Sequence, residues 1–185
     1  MKRCHDGAMS SIPPAAADFM HDLQQGLALP QKRIAPKYFY DALGSTLFDR
    51  ICELPEYYPT RTETALLARY ADDMARHMGP QAELVEFGAG SLHKVRLLLQ
   101  ALAQPSRLIP IDITGQHLEQ SAQSLRRDFP NLDVSPLVAD YSQDWNLPAP
   151  LARSQKRIGF FPGSTIGNFS PAEALAFLQR VAQRL

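Results

Sequence analysis

The sequence predicts an α/β fold: a Rossmann-like parallel sheet with helices on both faces, preceded by an N-terminal helical segment. Two observations predict it. Apolar runs alternate with segments of helical periodicity from residue 82 onward. The first run also ends in Gly88-Ala89-Gly90, directly before apolar residues at helical spacing, Leu92, Val95, Leu98, Leu99 and Leu102. A strand, a glycine turn and a helix in this order open the nucleotide-binding α/β domains.

Four strands are predicted in the second part of the chain. They are Leu84 to Phe87, Leu108 to Ile113, Val134 to Ala139 and Arg157 to Phe161. Pro110 departs from the pattern of a central strand, because proline has no N–H for the ladder. Since ligands of parallel sheets bind at the carboxyl ends of the strands, the polar and glycine clusters that follow these strands predict a binding site there.

Helical patterns connect and precede the strands. Ala15 to Gln25 predicts a short helix, and Leu47, Phe48 and Ile51 predict one face of a second helix that ends near Leu54. Thr60 to Glu63 predicts a capping box that opens a third. A further helix is indicated by Leu118, Ala122, Leu125 and Phe129, and a last one by the capping box Ser170 to Glu173 with proline at its first position.

Length and composition limit the organisation. The 185 residues suit one domain, and we expect residues 1–60 to form a helical segment of the substrate pocket and residues 61–185 a Rossmann-like domain. No strand follows the last helix, so that domain is expected to be incomplete at its C-terminus. A net charge of zero gives no indication of nucleic acid or membrane as a partner. Without a signal peptide or metal-ligand spacing at Cys4 and Cys52, a cytoplasmic protein is expected, with Cys52 a buried thiol.

The glycine turn restricts the ligand. A dinucleotide fingerprint requires a third glycine, and His93 stands at that position. The phosphate loop motif is absent as well. The turn therefore suits a ligand without a pyrophosphate, such as S-adenosylmethionine (SAM), although a turn that only connects strand and helix remains an alternative.

Polar residues at the strand ends match such a ligand. Asp112 could accept hydrogen bonds from both ribose hydroxyls, or could instead cap a helix or be a solvated charge of the loop. Asp140 could accept from the adenine amino group with Tyr141 beside the ring, or could only close a turn. Lys94 lies in the first turn of its helix, where a lysine opposes the helix dipole. A carboxylate partner, such as that of the methionine moiety, would suit it, and a solvated lysine is the alternative.

Other candidates concern an amine substrate. The Asn168 amide could hold an amine or a carboxylate, or could be a turn residue beside Gly167. An aromatic cage for a cation could be formed by four tyrosines, which are otherwise packing residues: Tyr38, Tyr40, Tyr57 and Tyr58. His93 is expected to pack or lie at the surface. Ser164 lies outside the G-x-S-x-G motif of hydrolases.

Several blocks together resemble the histidine-specific N-alpha-methyltransferases of ergothioneine biosynthesis. These blocks are Pro36 to Asp41, Leu54 to Glu63, Val85 to Gly90 with Lys94 and Arg96, and Gly163 to Asn168. The resemblance extends from about Pro36 to the end of the chain. It implies SAM-dependent methylation of the alpha-amine of histidine to the trimethylated betaine, hercynine. Relatives in the family methylate other amines, and a non-catalytic SAM-binding fragment is a further alternative.

The resemblance also implies roles for individual residues. SAM would bind across Gly88, Gly90, Lys94, Asp112, Asp140 and Tyr141. The substrate would contact Phe48, Tyr57, Tyr58, Gly163 and Asn168, with Tyr40 and Tyr57 as the catalytic residues. Further substrate contacts in the family, including an acidic residue that recognises the imidazole, come from sequence that follows the segment matched here. Methyl transfer would be an in-line displacement without a metal.

Overall fold

The predicted parallel sheet lies at the centre of the computed structural model, which describes residues 16–154 and 156–185. The sheet has five strands, all paired in parallel, in the order β3-β2-β1-β5, and β4 pairs with β2 beyond the end of β3. The strands are β1 (Glu83–Phe87), β2 (Arg107–Asp112), β3 (Asp133–Val134), β4 (Leu137–Val138) and β5 (Arg157–Phe160). The predicted α/β class is confirmed.

The helices follow the predicted order. They are α1 (Ala16–Ala28), α2 (Ala42–Glu53), α3 (Tyr58–Met78), α4 (His93–Ala101), α5 (Gly115–Asp128) and α6 (Pro171–Arg184). Short 3-10 turns cover Pro36–Phe39 and Thr165–Asn168. The capping box at the start of α6 is confirmed, since Ser170 and Glu173 bond each other's backbone N–H groups. The predicted division between residues 1–60 and residues 61–185 falls inside α3. It stays a prediction.

The side chains of β1 are buried on both faces of the sheet, as its apolar character predicts. Leu84 joins a cluster with buried residues of α3, α4 and α5, including Leu67, Leu98 and Leu118. Val85 and Phe87 belong to the cluster on the other face, which includes Trp145 and, from α6, Phe177. The helices therefore cover both faces, and the sheet is a rigid base for the loops at its carboxyl edge.

Pro110 fits within β2 because of a break in the neighbouring strand. The carbonyl oxygens of Leu108 and Asp112 accept hydrogen bonds from Ser135 and Ala139, so alternate residues of β2 face β3 and β4. The backbone of Pro110 faces the same neighbours as that of Leu108 and Asp112, and it lies opposite the gap between β3 and β4. The missing N–H thus falls where no ladder partner is required. The third strand, predicted as continuous, is for this reason two short strands.

The amino ends of the strands hold a buried charge that is fully bonded. The Glu83 side chain is inaccessible to solvent, and it accepts hydrogen bonds from the Arg157 guanidinium and the Ser154 hydroxyl. These contacts give that end a structural role. No helix among the described residues is long and apolar enough to span a membrane.

Of the two cysteines, Cys52 lies within the described residues. Cys52 is only partly buried, so the prediction of a buried thiol is wrong. Its sulfur accepts a hydrogen bond from the Thr60 hydroxyl at 3.3 Å. Cys4 lies outside the described residues.

Candidate functional site

The turn after β1 brings backbone N–H groups and a carboxylate together. Gly88 and Ala89 donate their N–H groups to the Ile111 carbonyl oxygen at 2.9 and 3.1 Å, and the Gly90 N–H donates to Asp112 Oδ2 at 3.1 Å. The φ angles of Gly88 and Gly90 are 67° and 52°, which glycine adopts at no steric cost. A Cβ atom built on Gly90 meets no atom within 4 Å. The turn therefore faces open space that a ligand can enter.

Asp112 lies at the end of β2 with capacity to spare. Its Oδ1 accepts from the Thr114 N–H at 3.0 Å, and its Oδ2 accepts from Gly90 N. Because a carboxylate oxygen has two lone pairs, each oxygen can accept one more hydrogen bond. Thr114 is the N-cap residue of α5, so Asp112 also supports the start of that helix. The predicted ligand role and the structural alternative are compatible.

Asp140 and Tyr141 follow β4 at the same edge. Asp140 Oδ1 accepts from the backbone N–H and the hydroxyl of Ser142, at 2.9 and 2.5 Å, while Oδ2 accepts from Lys37 Nζ at 3.4 Å. Burial opposes the charge of the Lys37 ammonium, but Asp140, with Tyr38 and Asp22, raises its pKa overall. The carboxylate thus closes its own turn and leaves one oxygen with a free lone pair.

The Tyr141 ring is held in a group of aromatic side chains. It packs edge-on against Phe87, Phe161 and Phe177. Its hydroxyl lies 3.2 Å from the position that a Cβ on Gly88 would take. Burial raises the pKa of this phenol far above its ordinary value, so the hydroxyl stays protonated beside the glycine turn.

A hydrogen bond ties the aromatic N-terminal segment to this edge of the sheet. The buried Thr114 hydroxyl donates to the Tyr40 carbonyl oxygen at 2.8 Å. From Tyr40 a chain of edge-to-face ring contacts passes to Phe48, at 5.7 Å between centroids, and on to Tyr57, at 6.0 Å. Three of the residues predicted to contact substrate are therefore together, next to Asp112.

The tyrosine hydroxyls of this group have shifted acidity. Burial, reinforced by Tyr57 and Cys52, raises the pKa of Tyr40. Burial also raises the pKa of Tyr57, with Cys52 and Glu63 acting in the same direction. Since an ordinary tyrosine already titrates near pH 10, both phenols stay protonated at neutral pH. They can donate and accept hydrogen bonds but do not act as phenolate bases.

The predicted four-tyrosine cage is realised only in part. Among the described ring contacts, Tyr40 and Tyr57 are joined through Phe48. Tyr38 packs on Phe19 and donates its hydroxyl to Asp22 at 2.6 Å, and Tyr58 is 65% exposed. The predicted substrate contact of Tyr58 stays a prediction.

The capping box predicted at Thr60 to Glu63 is wrong. Helix α3 begins at Tyr58, and its N-cap residue, Tyr57, makes no side-chain cap. Pro59 occupies the first turn, where its missing N–H costs nothing. Glu63 is therefore already inside the helix, and its carboxylate bonds elsewhere.

Glu63 joins two other parts of the site. Its Oε2 lies 2.5 Å from Lys94 Nζ, in the first turn of α4, and its Oε1 accepts from the Gly163 N–H at 2.7 Å. A Cβ on Gly163 would lie 3.4 Å from Lys94 Nζ, so that loop and lysine are adjacent. Lys94 has a carboxylate partner, as expected for its position, but in this structure the carboxylate belongs to the protein.

The loop from Gly163 to Asn168 follows β5. Gly163 and Ser164 have left-handed φ angles of 84° and 56°, and the turn Thr165–Asn168 comes next. The Asn168 side chain is exposed, and its predicted contact with substrate stays a prediction. His93 is exposed at the start of α4, as the sequence predicted.

Sequence reasoning missed Glu86. This residue of β1 is 1% exposed, and its Oε2 has no hydrogen-bond partner among the residues that the structure describes. Burial raises its pKa well above the ordinary value, although Lys94 acts in the opposite direction. An acidic residue within an apolar strand, two positions before Gly88, was the available signal. A buried carboxyl oxygen without a hydrogen-bond partner is costly to the folded state.

Comparison with known proteins gives the family. A sequence model described as histidine-specific methyltransferase, SAM-dependent, matches residues 19–185, which include every strand of the sheet. The chain belongs to this family. The resemblance seen in the sequence motifs is thereby confirmed, and the methyl donor of the family is SAM. No group of three or more potential metal-ligating side chains occurs in the described part of the chain.

Individual relatives match over most of the chain. It is 36% identical over 174 residues to histidine N-alpha-methyltransferase of Mycolicibacterium smegmatis, covering 92% of this chain and 53% of that protein. It is 33% identical over 145 residues to ergothioneine biosynthesis protein 1 of Neurospora crassa, covering 76% and 16%. It is 29% identical over 164 residues to 4-dimethylallyltryptophan N-methyltransferase of Claviceps purpurea, covering 85% and 48%. The chain spans about half the length of the first of these relatives.

Proposed function

We propose that the protein is a SAM-dependent N-methyltransferase that methylates the alpha-amine of L-histidine to hercynine, a step in ergothioneine biosynthesis. Membership of the family supports the reaction type. The names of the bacterial and the Neurospora relatives support histidine and ergothioneine. The geometry at the carboxyl edge of the sheet supports a site for both a SAM molecule and an amine.

The observation that carries the proposal is the hydrogen bond from Thr114 to Tyr40. It fixes the aromatic segment against the strand end that holds Asp112. Two ligands must meet for methyl transfer, and most of the acceleration comes from holding them in line at contact distance. A cofactor edge and an aromatic segment that are joined by the hydrogen bond from the Thr114 hydroxyl to the Tyr40 carbonyl oxygen meet that requirement.

The residues present fit SAM. Asp112 retains one lone pair on each oxygen for the two ribose hydroxyls, and Asp140 retains capacity for an amino donor. The open space beside Gly90 leaves room for the ligand to lie close to the turn. We assign the ligand's methionine part to the region of Gly88 and Lys94, and its adenine to Asp140 and Tyr141.

Bound SAM would supply an electrophilic methyl carbon. The neutral amine would form the C–N bond as the C–S bond breaks, the sulfonium sulfur would leave as a thioether, and the amine proton would pass to water. The protein's task is to hold the amine in line with that methyl carbon. We assign this to the hydroxyls of Tyr40 and Tyr57, with Phe48 between their rings and Gly163 and Asn168 on the opposite side. Aromatic faces tolerate the growing positive charge of the methylated amine. The raised pKa values of both tyrosines favour hydrogen bonding to the amine over proton abstraction.

The test is methylation by the complete gene product. The protein is incubated with SAM and a panel of free amino acids and amines that includes histidine and tryptophan derivatives, and products are identified by mass spectrometry. We expect histidine to gain up to three methyl groups and an Asp112→Ala variant to lose activity in proportion to its cofactor affinity. Absence of any methylated histidine, with cofactor bound, would contradict the assignment of substrate.

One alternative has support of its own. The Claviceps relative is named for methylation of a prenylated tryptophan, so another amine is the second candidate substrate. Methylation of a tryptophan derivative in preference to histidine would select it. Cofactor binding without turnover of any amine would instead indicate a SAM-binding role.

A further inference from the structure

Glu63 connects three elements that surround the proposed amine site. It lies on α3, whose N-cap residue is Tyr57. Its carboxylate bonds Lys94 of α4 at 2.5 Å through Oε2, and the Gly163 N–H at 2.7 Å through Oε1.

The loop that Glu63 contacts needs an anchor. Ser164 holds a left-handed φ of 56°, a conformation that costs a non-glycine residue free energy unless surrounding contacts maintain it. Gly163, just before it, donates its N–H to Glu63. The Glu63 side chain is partly exposed and Gly163 is exposed. Burial therefore does not fix the loop.

Tyr57 is the N-cap residue of α3, the helix that carries Glu63. Tyr57 is one wall of the proposed amine pocket, and Asn168 lies at the far end of the loop that starts at Gly163. The hydrogen bond from Gly163 to Glu63 thus links the helix that Tyr57 precedes to the loop that ends at Asn168. The chemistry of an acidic side chain on a backbone N–H makes this a short, charge-assisted contact.

We propose that Glu63 is a positioning residue for the amine substrate: it holds the Gly163–Asn168 loop against the Tyr57 wall through its hydrogen bond with the Gly163 N–H. It acts through the loop and does not touch the reacting atoms. This inference rests on the proposed function, and its test includes a measurement that does not depend on turnover.

Two substitutions separate the loop contact from the ion pair. Glu63→Ala removes the acceptor for Gly163 and the partner of Lys94 together. Glu63→Gln keeps an amide oxygen as acceptor for the Gly163 N–H but removes the charge that faces Lys94. Asp72→Ala, an exposed position on the same helix, is the matched control for loss of an acidic residue.

Steady-state kinetics should separate Glu63→Ala from Glu63→Gln by their KM for the amine. We expect Glu63→Ala to raise the amine KM about 5- to 20-fold, the effect of one lost hydrogen bond to a partly exposed charged group. Glu63→Gln should keep the amine KM within about twofold of the parent protein. Any change in cofactor affinity should be equal in the two variants, because both remove the negative charge of Glu63 that faces Lys94. Asp72→Ala should match the parent protein.

Amide hydrogen exchange gives the independent measurement. The Gly163 amide should be protected in the parent protein and in Glu63→Gln, and should exchange faster in Glu63→Ala. Equal protection in all three proteins, or equal amine KM values for Glu63→Ala and Glu63→Gln, would overturn the proposal. If the parent protein methylates no amine, the proposed function fails, while the exchange rates still decide whether Glu63 holds the loop.

Discussion

The tie between Thr114 and Tyr40 allows a direct test of how the site is assembled. Thr114→Val keeps the shape of the side chain and removes the hydroxyl that donates to the Tyr40 carbonyl oxygen at 2.8 Å. Thr114 is only 7% exposed, so water replaces the lost donor poorly. The lost bond and the carbonyl left without its partner together cost about 1–2 kcal/mol.

That cost should appear in amine binding. A change of 1.4 kcal/mol is a factor of about ten in an equilibrium constant, so we expect the amine KM to rise about 5- to 30-fold. Cofactor affinity should change less, because Asp112 still accepts from the backbone N–H of residue 114. The assay is initial-rate kinetics with the amine varied at saturating SAM, together with cofactor titration by calorimetry.

Two control variants make the result specific. Thr114→Ser keeps a hydroxyl and should stay near the parent protein. Thr64→Val removes a hydroxyl that bonds within α3, to the Thr60 carbonyl oxygen, and should leave both constants unchanged. If Thr114→Val binds the amine as well as the parent protein does, and residues 36–57 are equally protected from proteolysis, the tie does not assemble the site.

Three further predictions concern single residues. Asp112→Ala should weaken SAM binding by about 1–3 kcal/mol through lost hydrogen bonds; unchanged affinity in calorimetry would refute its ribose role. Asn168→Ala should raise the amine KM while cofactor affinity stays intact, and equal loss of both would indicate a folding defect instead. Glu86 has a folded-state pKa above 4.5, so its burial destabilises the protein increasingly as the pH rises above that value. Glu86→Gln should therefore increase the Tm more at pH 8 than at pH 5, and an equal increase at both would contradict this.

Local patterns were sufficient for much of the fold. The apolar run of β1 and the glycines after it predicted the strand and turn, because both depend on properties of adjacent residues. The capping box of α6 was predicted correctly for the same reason. The capping box at Thr60 to Glu63 was wrong because Pro59 and the packing of α3 let the helix begin earlier, at Tyr58.

The strand break at Ser135 shows a second limit. The pattern from Val134 to Ala139 predicts one strand, whereas two short strands form. Whether a residue joins a ladder depends on its neighbour in the sheet, and here that neighbour is Pro110. How the sheet accommodates both Pro110 and Pro136 becomes clear only from the pairing of β2 with β3 and β4.

The sequence by itself determined the α/β class, the glycine turn and the family, because these depend on hydrophobic periodicity and on motifs of adjacent residues. Only the tertiary structure decided the contacts that assemble the site. Thr114 and Tyr40 are 74 residues apart in the chain, and Glu63 and Gly163 are 100 apart. A pattern along the chain carries no record of such pairs, since they form only when separate helices, strands and loops pack at one edge of the sheet.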